Sequence, residues 1–126
     1  IDWLFVHRGY GGIAAPADPW VETNLVHAVD AALDSAIGVF YLRREGVAID
    51  QTAYAQRQVA RIGAIFEWLV DRLPAATLDL PTLSLLCTLD WMDFRAAYPT
   101  DRHPRLAPLR AALRERPSLA ATRPHA

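Results

Sequence analysis

The stretch Leu78-Asp-Leu-Pro-Thr-Leu-Ser-Leu-Leu-Cys-Thr-Leu-Asp-Trp-Met-Asp-Phe-Arg95 decides the fold class. The carboxylate of Asp79 can accept from the backbone N–H of Thr82, and Leu78 can staple onto Leu83, so a helix starts there. Leu83, Leu85, Leu86, Cys87 and Leu89 then cover nearly every direction around its axis. A helix that is apolar all round belongs in the middle of a bundle. A short polar break follows, with His103-Pro104, and then an Arg/Ala-rich final helix over about residues 104–115. Leu106, Leu109 and Leu113 are its expected buried stripe, and Arg116-Pro117 its stop. Pro108, in its second turn, removes one hydrogen bond and is expected to kink or delay it.

Upstream, residues 51–73 read as a helix with Ala55, Val59, Ile62, Phe66, Leu69 and Leu73 on one face, Asp50 as cap and Pro74 as stop. A longer helix is expected from Pro19 to Arg44, with Asp18 as N-cap, Pro19 in the first position and Gly46 as terminator. Val26, Val29, Leu33, Ile37 and Phe40 form its apolar stripe. Residues 1–19 are an irregular segment. Its apolar opening, Ile1 to Val6, fits a short strand or a helical turn, and Gly9, Gly11, Gly12, Pro16 and Pro19 break any longer element. No strand-period alternation is long enough to build a sheet. The expected fold is all-α: two long antiparallel helices, a buried central helix and a C-terminal helix.

Composition bounds the function. The chain has 126 residues, enough for one core, and 52% are hydrophobic, which favours a folded globule. A formal charge of -1 gives no global pull towards nucleic acid or anionic lipid. Lysine is absent, and Arg102, Arg105, Arg110, Arg114, Arg116 and Arg123 share the C-terminal region with one acid, Glu115. Without interleaved aromatics they read as a solvated face with helix-end charges rather than a nucleic-acid site. One cysteine, Cys87, excludes an internal disulfide, and its place in the apolar run suggests a small packed hydrophobe. No signal-peptide pattern opens the chain, and the uncharged apolar run of residues 80–89 is too short for a bilayer, which takes roughly 20. A cytoplasmic protein is expected. Beginning at Ile1, the chain is expected to be a fragment, a processed product or part of something longer.

Four segments carry a family resemblance. They are Asp30-Ala31-Ala32-Leu33-Asp34 with Tyr41-Leu42-Arg43-Arg44-Glu45; residues 62–73; Leu89-Asp90-Trp91-Met92-Asp93-Phe94-Arg95; and His103-Pro104 with Arg116-Pro117-Ser118. In this order they resemble the C-terminal helical domain of bacterial glutathione transferases. Two departures stand out. The family opens its central helix with Ser/Thr-x-x-Asp, where this chain has Asp79-Leu80-Pro81-Thr82, acid and hydroxyl exchanged. The family's thioredoxin-like domain, which holds and activates glutathione, has no counterpart in residues 1–19. No catalytic residue is therefore assigned.

The resemblance implies that the domain would shape a hydrophobic acceptor pocket and part of a homodimer interface. Glutathione would be a co-substrate beside a hydrophobic electrophile, and no cofactor would be held tightly. Asn24, His27, Asp30 and Asp34, spaced 3, 3 and 4, fall on one helical stripe. By resemblance, Asp30 is the candidate for glutathione's ammonium, with His27 and Asn24 near the acceptor. The plainer alternative is a solvated face with a modest His27–Asp30 pair. Trp91 is a further candidate for the pocket, while Trp68 and Phe40 are expected to pack in the core. Asp90 and Asp93 are expected to pair with Arg95 or a helix terminus. The four histidines offer no zinc spacing, and nucleic acid and membrane are not expected partners. The alternative function is a stand-alone helical module for protein association, its open surface covered by residues 1–6.

Overall fold

A computed structural model describes residues 2–74 and 77–125, leaving aside the side chains of Asp2 and Val6. Among these residues every regular element is helical: α1 (Asp2–Arg8), α2 (Pro19–Arg44), α3 (Ala53–Val70), α4 (Leu80–Phe94), α5 (Ala107–Leu113) and α6 (Pro117–Thr122), with short 3-10 turns between. Ile1 and the Val6 side chain lie outside the described residues, but the rest of the opening segment is helical.

The helix starts follow from local chemistry. Asp18 accepts from the N–H groups of Trp20 and Val21 at 2.9 and 3.3 Å, and Pro19 sits in the first position, where no N–H is needed. Gly46 ends α2 with φ 79°, donating to Arg43, while Val47 donates back to Leu42. The second long helix is shorter than its apolar pattern. It begins at Thr52 as N-cap, after a 3-10 turn that contains Asp50, and stops at Val70 before Pro74. Asp50 is thus not its cap.

Helix α2 is the spine, packed on both α3 and α4. A hydrogen bond from the Ser35 hydroxyl to Gln58 at 2.8 Å and the short connection between them fix α3 antiparallel to α2. The Phe40–Trp91 edge contact and the Arg43 bond to the Ala96 carbonyl bring the C-terminal ends of α2 and α4 together, so α4 runs with α2. This arrangement changes which face of α2 is buried. The fully buried stripe is Leu25, Val29, Ala32, Ala36 and Val39, at spacings of 4, 3, 4 and 3. Val26, Leu33, Ile37 and Phe40 flank it, half-buried. Two neighbours press on one helix, so its line of closest approach carries small side chains and the bulky ones fill the edges. In α3, Ala55, Ile62, Phe66 and Leu69 are buried as their period indicated.

Helix α4 is the most buried of the three long helices, open to solvent along one stripe. Leu80, Leu85, Leu86, Leu89 and Met92 are buried, whereas Cys87 and Phe94 are exposed, with half-buried Ser84 and Trp91 on the same stripe at spacings of 3, 4 and 3. Cys87 is therefore exposed, not a packed hydrophobe. Partial burial, then Asp90, push its thiol pKa up. Trp68 is 38% exposed and lies under the Arg72 guanidinium at 4.2 Å, outside the core expected for it. Pro108 delays the last helix: residues Pro104–Leu106 are a 3-10 turn and α5 begins only at Ala107. Pro117, expected as a stop, also starts α6 from its first position. Of the described side chains in the opening stretch, Trp3 and Leu4 are exposed, while Ile1 and the Val6 side chain, part of the cover expected there, lie outside the described residues; Ile13 packs on the core, and Ala14 donates to Leu78. α2 also has the length and composition to cross a membrane, with a mean hydropathy of 1.4 over its best window.

Candidate functional site

The capping of α4 lies closest to what the sequence indicates. Asp79 accepts from the Thr82 N–H at 2.8 Å, and Leu78 is buried with Leu83 packed on the core. The exchanged box is only half made. The Thr82 hydroxyl is fully buried and finds no hydrogen-bond partner among the described residues. A hydroxyl left so costs about 1–3 kcal/mol.

On α2, Asn24, His27, Asp30 and Asp34 all sit on exposed surface. No side-chain hydrogen bond joins His27 to Asp30. Trp91 does not join this stripe. It packs edge-on to Phe40, ring centroids 5.9 Å apart. Ten residues separate Phe40 from Asp30, roughly 15 Å along a helix axis. The polar stripe and the aromatic pair are thus two separate features of α2.

Two polar networks join distant segments. In the first, Arg110 of α5 donates to Asp90 at 3.1 Å and to Asp93 at 2.6 Å, and reaches the Thr100 hydroxyl at 3.3 Å. Thr100 donates to the other oxygen of Asp93 at 2.5 Å, and Arg123 lies 3.7 Å from Asp90. The partners of Asp90 and Asp93 are therefore Arg110 and Arg123, not Arg95. Two of the C-terminal arginines are spent inside the molecule rather than on a solvated face. Their i, i+3 spacing puts both carboxylates on the side of α4 that α5 covers. With side chains 26–41% exposed, each pair contributes at most about 1 kcal/mol.

The second network links α3 to the segment after α4. His103, 8% exposed, bonds Glu67 through Nδ1 at 2.7 Å and the Tyr98 hydroxyl through Nε2 at 2.8 Å. Its ring lies parallel to that of Tyr98 and edge-on to Phe66. Gly63 leaves room for this: a Cβ there would stand 3.3 Å from the Tyr98 hydroxyl. Burial pushes the Tyr98 pKa up, with Glu67 adding to it and Arg102 opposing. Outside, Arg105 bonds Asp71 at 2.6 Å and approaches Glu67 at 3.7 Å. Both imidazole nitrogens are occupied and the phenol is buried, so the chain Glu67–His103–Tyr98 ties two segments together and presents no free nucleophile. Sequence reading missed it because its members are 36 and 5 residues apart. The one signal was a histidine between polar residues and a proline, ahead of the final helix.

Among the described residues no group of three or more His, Cys, Asp or Glu is placed to hold a metal ion. Comparison with known protein families, curated proteins and solved structures finds no match to this chain.

Proposed function

We propose that this chain is a helical domain of the glutathione transferase type, which shapes the acceptor side of a site for joining glutathione to a hydrophobic electrophile. The observation that carries the reading is where the resembling segments fall. Asp90 and Asp93 of segment 89–95 and His103 of the His103-Pro104 pair each bond a distant partner, Arg110 for the two aspartates and Glu67 for the histidine. They meet in two networks that fasten the last third of the chain to α3 and α4. Residues that resemble a family's joints and also act as joints support a shared arrangement of helices. In this reading the exposed α2 stripe faces a thioredoxin-like domain or a second subunit. Asp30 meets the ammonium of glutathione, and Asn24 and His27 border the acceptor. Trp91, remote from that stripe, contributes a wall at the other end of α2. The helix α2 is a bundle helix in this reading, since its buried stripe of Leu25, Val29, Ala32, Ala36 and Val39 belongs to the core and the helix packs on both α3 and α4. The protein is cytoplasmic, works as a homodimer or beside a thioredoxin-like domain, and engages neither membrane nor nucleic acid.

Isothermal titration with reduced glutathione and with S-hexylglutathione, beside a mass measurement in solution, tests this. The expected result is saturable binding of the hexyl conjugate, weakened about tenfold by Asp30→Ala, a loss fitting one charge-assisted contact. A folded chain that binds neither ligand would sink the reading.

A second reading is a non-catalytic association module. It rests on the exposed large apolar side chains near the N-terminal end, Trp3, Leu4, Trp20 and Val21, with Trp20 79% exposed.

A further inference from the structure

Between α4, α5 and α6 lies a cleft of about 590 Å³, within the range of small-molecule sites. One wall is apolar, made by Leu86, Ala107, Ala111 and Leu119. The rest is ionic, and its charges are unevenly spent. All four oxygens of Asp90 and Asp93 have partners: Arg110 takes one on each, Thr100 donates to another, and Arg123 faces the fourth. Arg123 also donates to the Arg114 carbonyl at 3.2 Å. Arg114 lines the same cleft, and its guanidinium has no hydrogen-bond or ionic partner among the described residues. Three arginines and two aspartates thus line the cleft, leaving one positive charge unmatched beside an apolar wall.

We propose that this cleft binds an amphipathic organic monoanion, a carboxylate or sulfonate on an apolar body. The anionic group pairs with Arg114, where a planar guanidinium can hold two oxygens at once. The apolar body lies over Ala107, Ala111 and Leu119. A cation or metal ion is disfavoured because every carboxylate oxygen already has a partner. None of the α2 residues lines this cleft, so the proposal stands independently of the function argued above for the α2 stripe.

The test is a fluorescence titration of the whole chain with 8-anilinonaphthalene-1-sulfonate, followed by displacement with decanoate and with decanol. Saturable binding is expected, displaced by decanoate and far less by decanol. Arg114→Ala should weaken the sulfonate about fivefold and erase the difference between acid and alcohol, the scale of one partly exposed charge-assisted pair. Ala111→Phe, at an exposed position, should fill the cleft and abolish binding. Arg57→Ala, on the exposed surface of α3, should change nothing. Circular dichroism confirms that each variant keeps its helices. Non-saturable binding, equal displacement by decanol, wild-type affinity in folded Arg114→Ala or Ala111→Phe, or an equal loss in Arg57→Ala would each overturn the proposal.

Discussion

Ala96 has a left-handed backbone, φ 48°, where nearly every other such position belongs to glycine. It closes α4 as Gly46 closes α2: Ala97 donates back to Met92 just as Val47 donates back to Leu42. The side chain of Arg43 holds the Ala96 carbonyl at 2.8 Å, so the strained residue is pinned from α2. Ala96→Gly should therefore stabilise the protein by about 1 kcal/mol, read as a raised urea midpoint with unchanged slope. Thr82 tells a similar story from inside the core. Its buried hydroxyl has no partner, so Thr82→Val, nearly equal in volume, should be neutral or stabilising by about 1 kcal/mol in the same measurement. A loss of stability would mean that the hydroxyl is bonded in solution.

The elements differ in how they are secured. α3 and α4 carry their own apolar faces, but α5 has seven residues and α6 six, too short to hold by helix propensity alone. Arg110 ties α5 to α4, and the Glu67–His103–Tyr98 network anchors the segment just before α5, where burial ranks the contributions. Tyr98→Phe removes one end of the bond to buried His103 and should cost about 1 kcal/mol. Glu67→Ala leaves the imidazole without its anionic partner and should cost about 1–2 kcal/mol. Arg105→Ala, at the exposed edge of the same network, should cost the least of the three, because its pairs are screened by solvent. Denaturant melts of the three variants would give that order. An equal loss from Arg105→Ala would place the main tie at the surface. The buried face of α3 was readable from its period, yet its ends were not: Thr52 begins the helix without a side-chain cap bond, and it stops at Val70, short of the apolar pattern.

At the scale of the whole molecule, the buried phenol links folding to alkaline pH. Burial raises the folded pKa of Tyr98 above its ordinary value of about 10. A raised value means that the folded state holds its proton longer than the unfolded chain does. The stabilising contribution is complete below about pH 10 and is lost as pH rises through the folded value. Melting temperature should fall across that alkaline window, and fall less steeply in Tyr98→Phe. Identical slopes in the two proteins would refute the linkage.

The sequence by itself determined the helical class, the start of α2 at Asp18-Pro19, its end at Gly46 and the cap of α4 at Asp79. Each depends on groups within a few residues of one another: a carboxylate accepting nearby N–H groups, a proline lacking one, a glycine free to turn left-handed. The polar stripe of Asn24, His27 and Asp30 was equally readable, being a matter of spacing along one helix. Tertiary structure decided the rest. Which α2 stripe is buried depends on two neighbours pressing where Ala32 and Ala36 permit close approach. Cys87 faces outward because α2 and the C-terminal segment cover the other sides of α4, which no periodicity within α4 reveals. Arg110 was a surface charge by pattern and became the clamp on Asp90 and Asp93 once α5 folded back over α4. Electrostatic and packing choices of that kind are made between segments tens of residues apart, and local chemistry does not contain them.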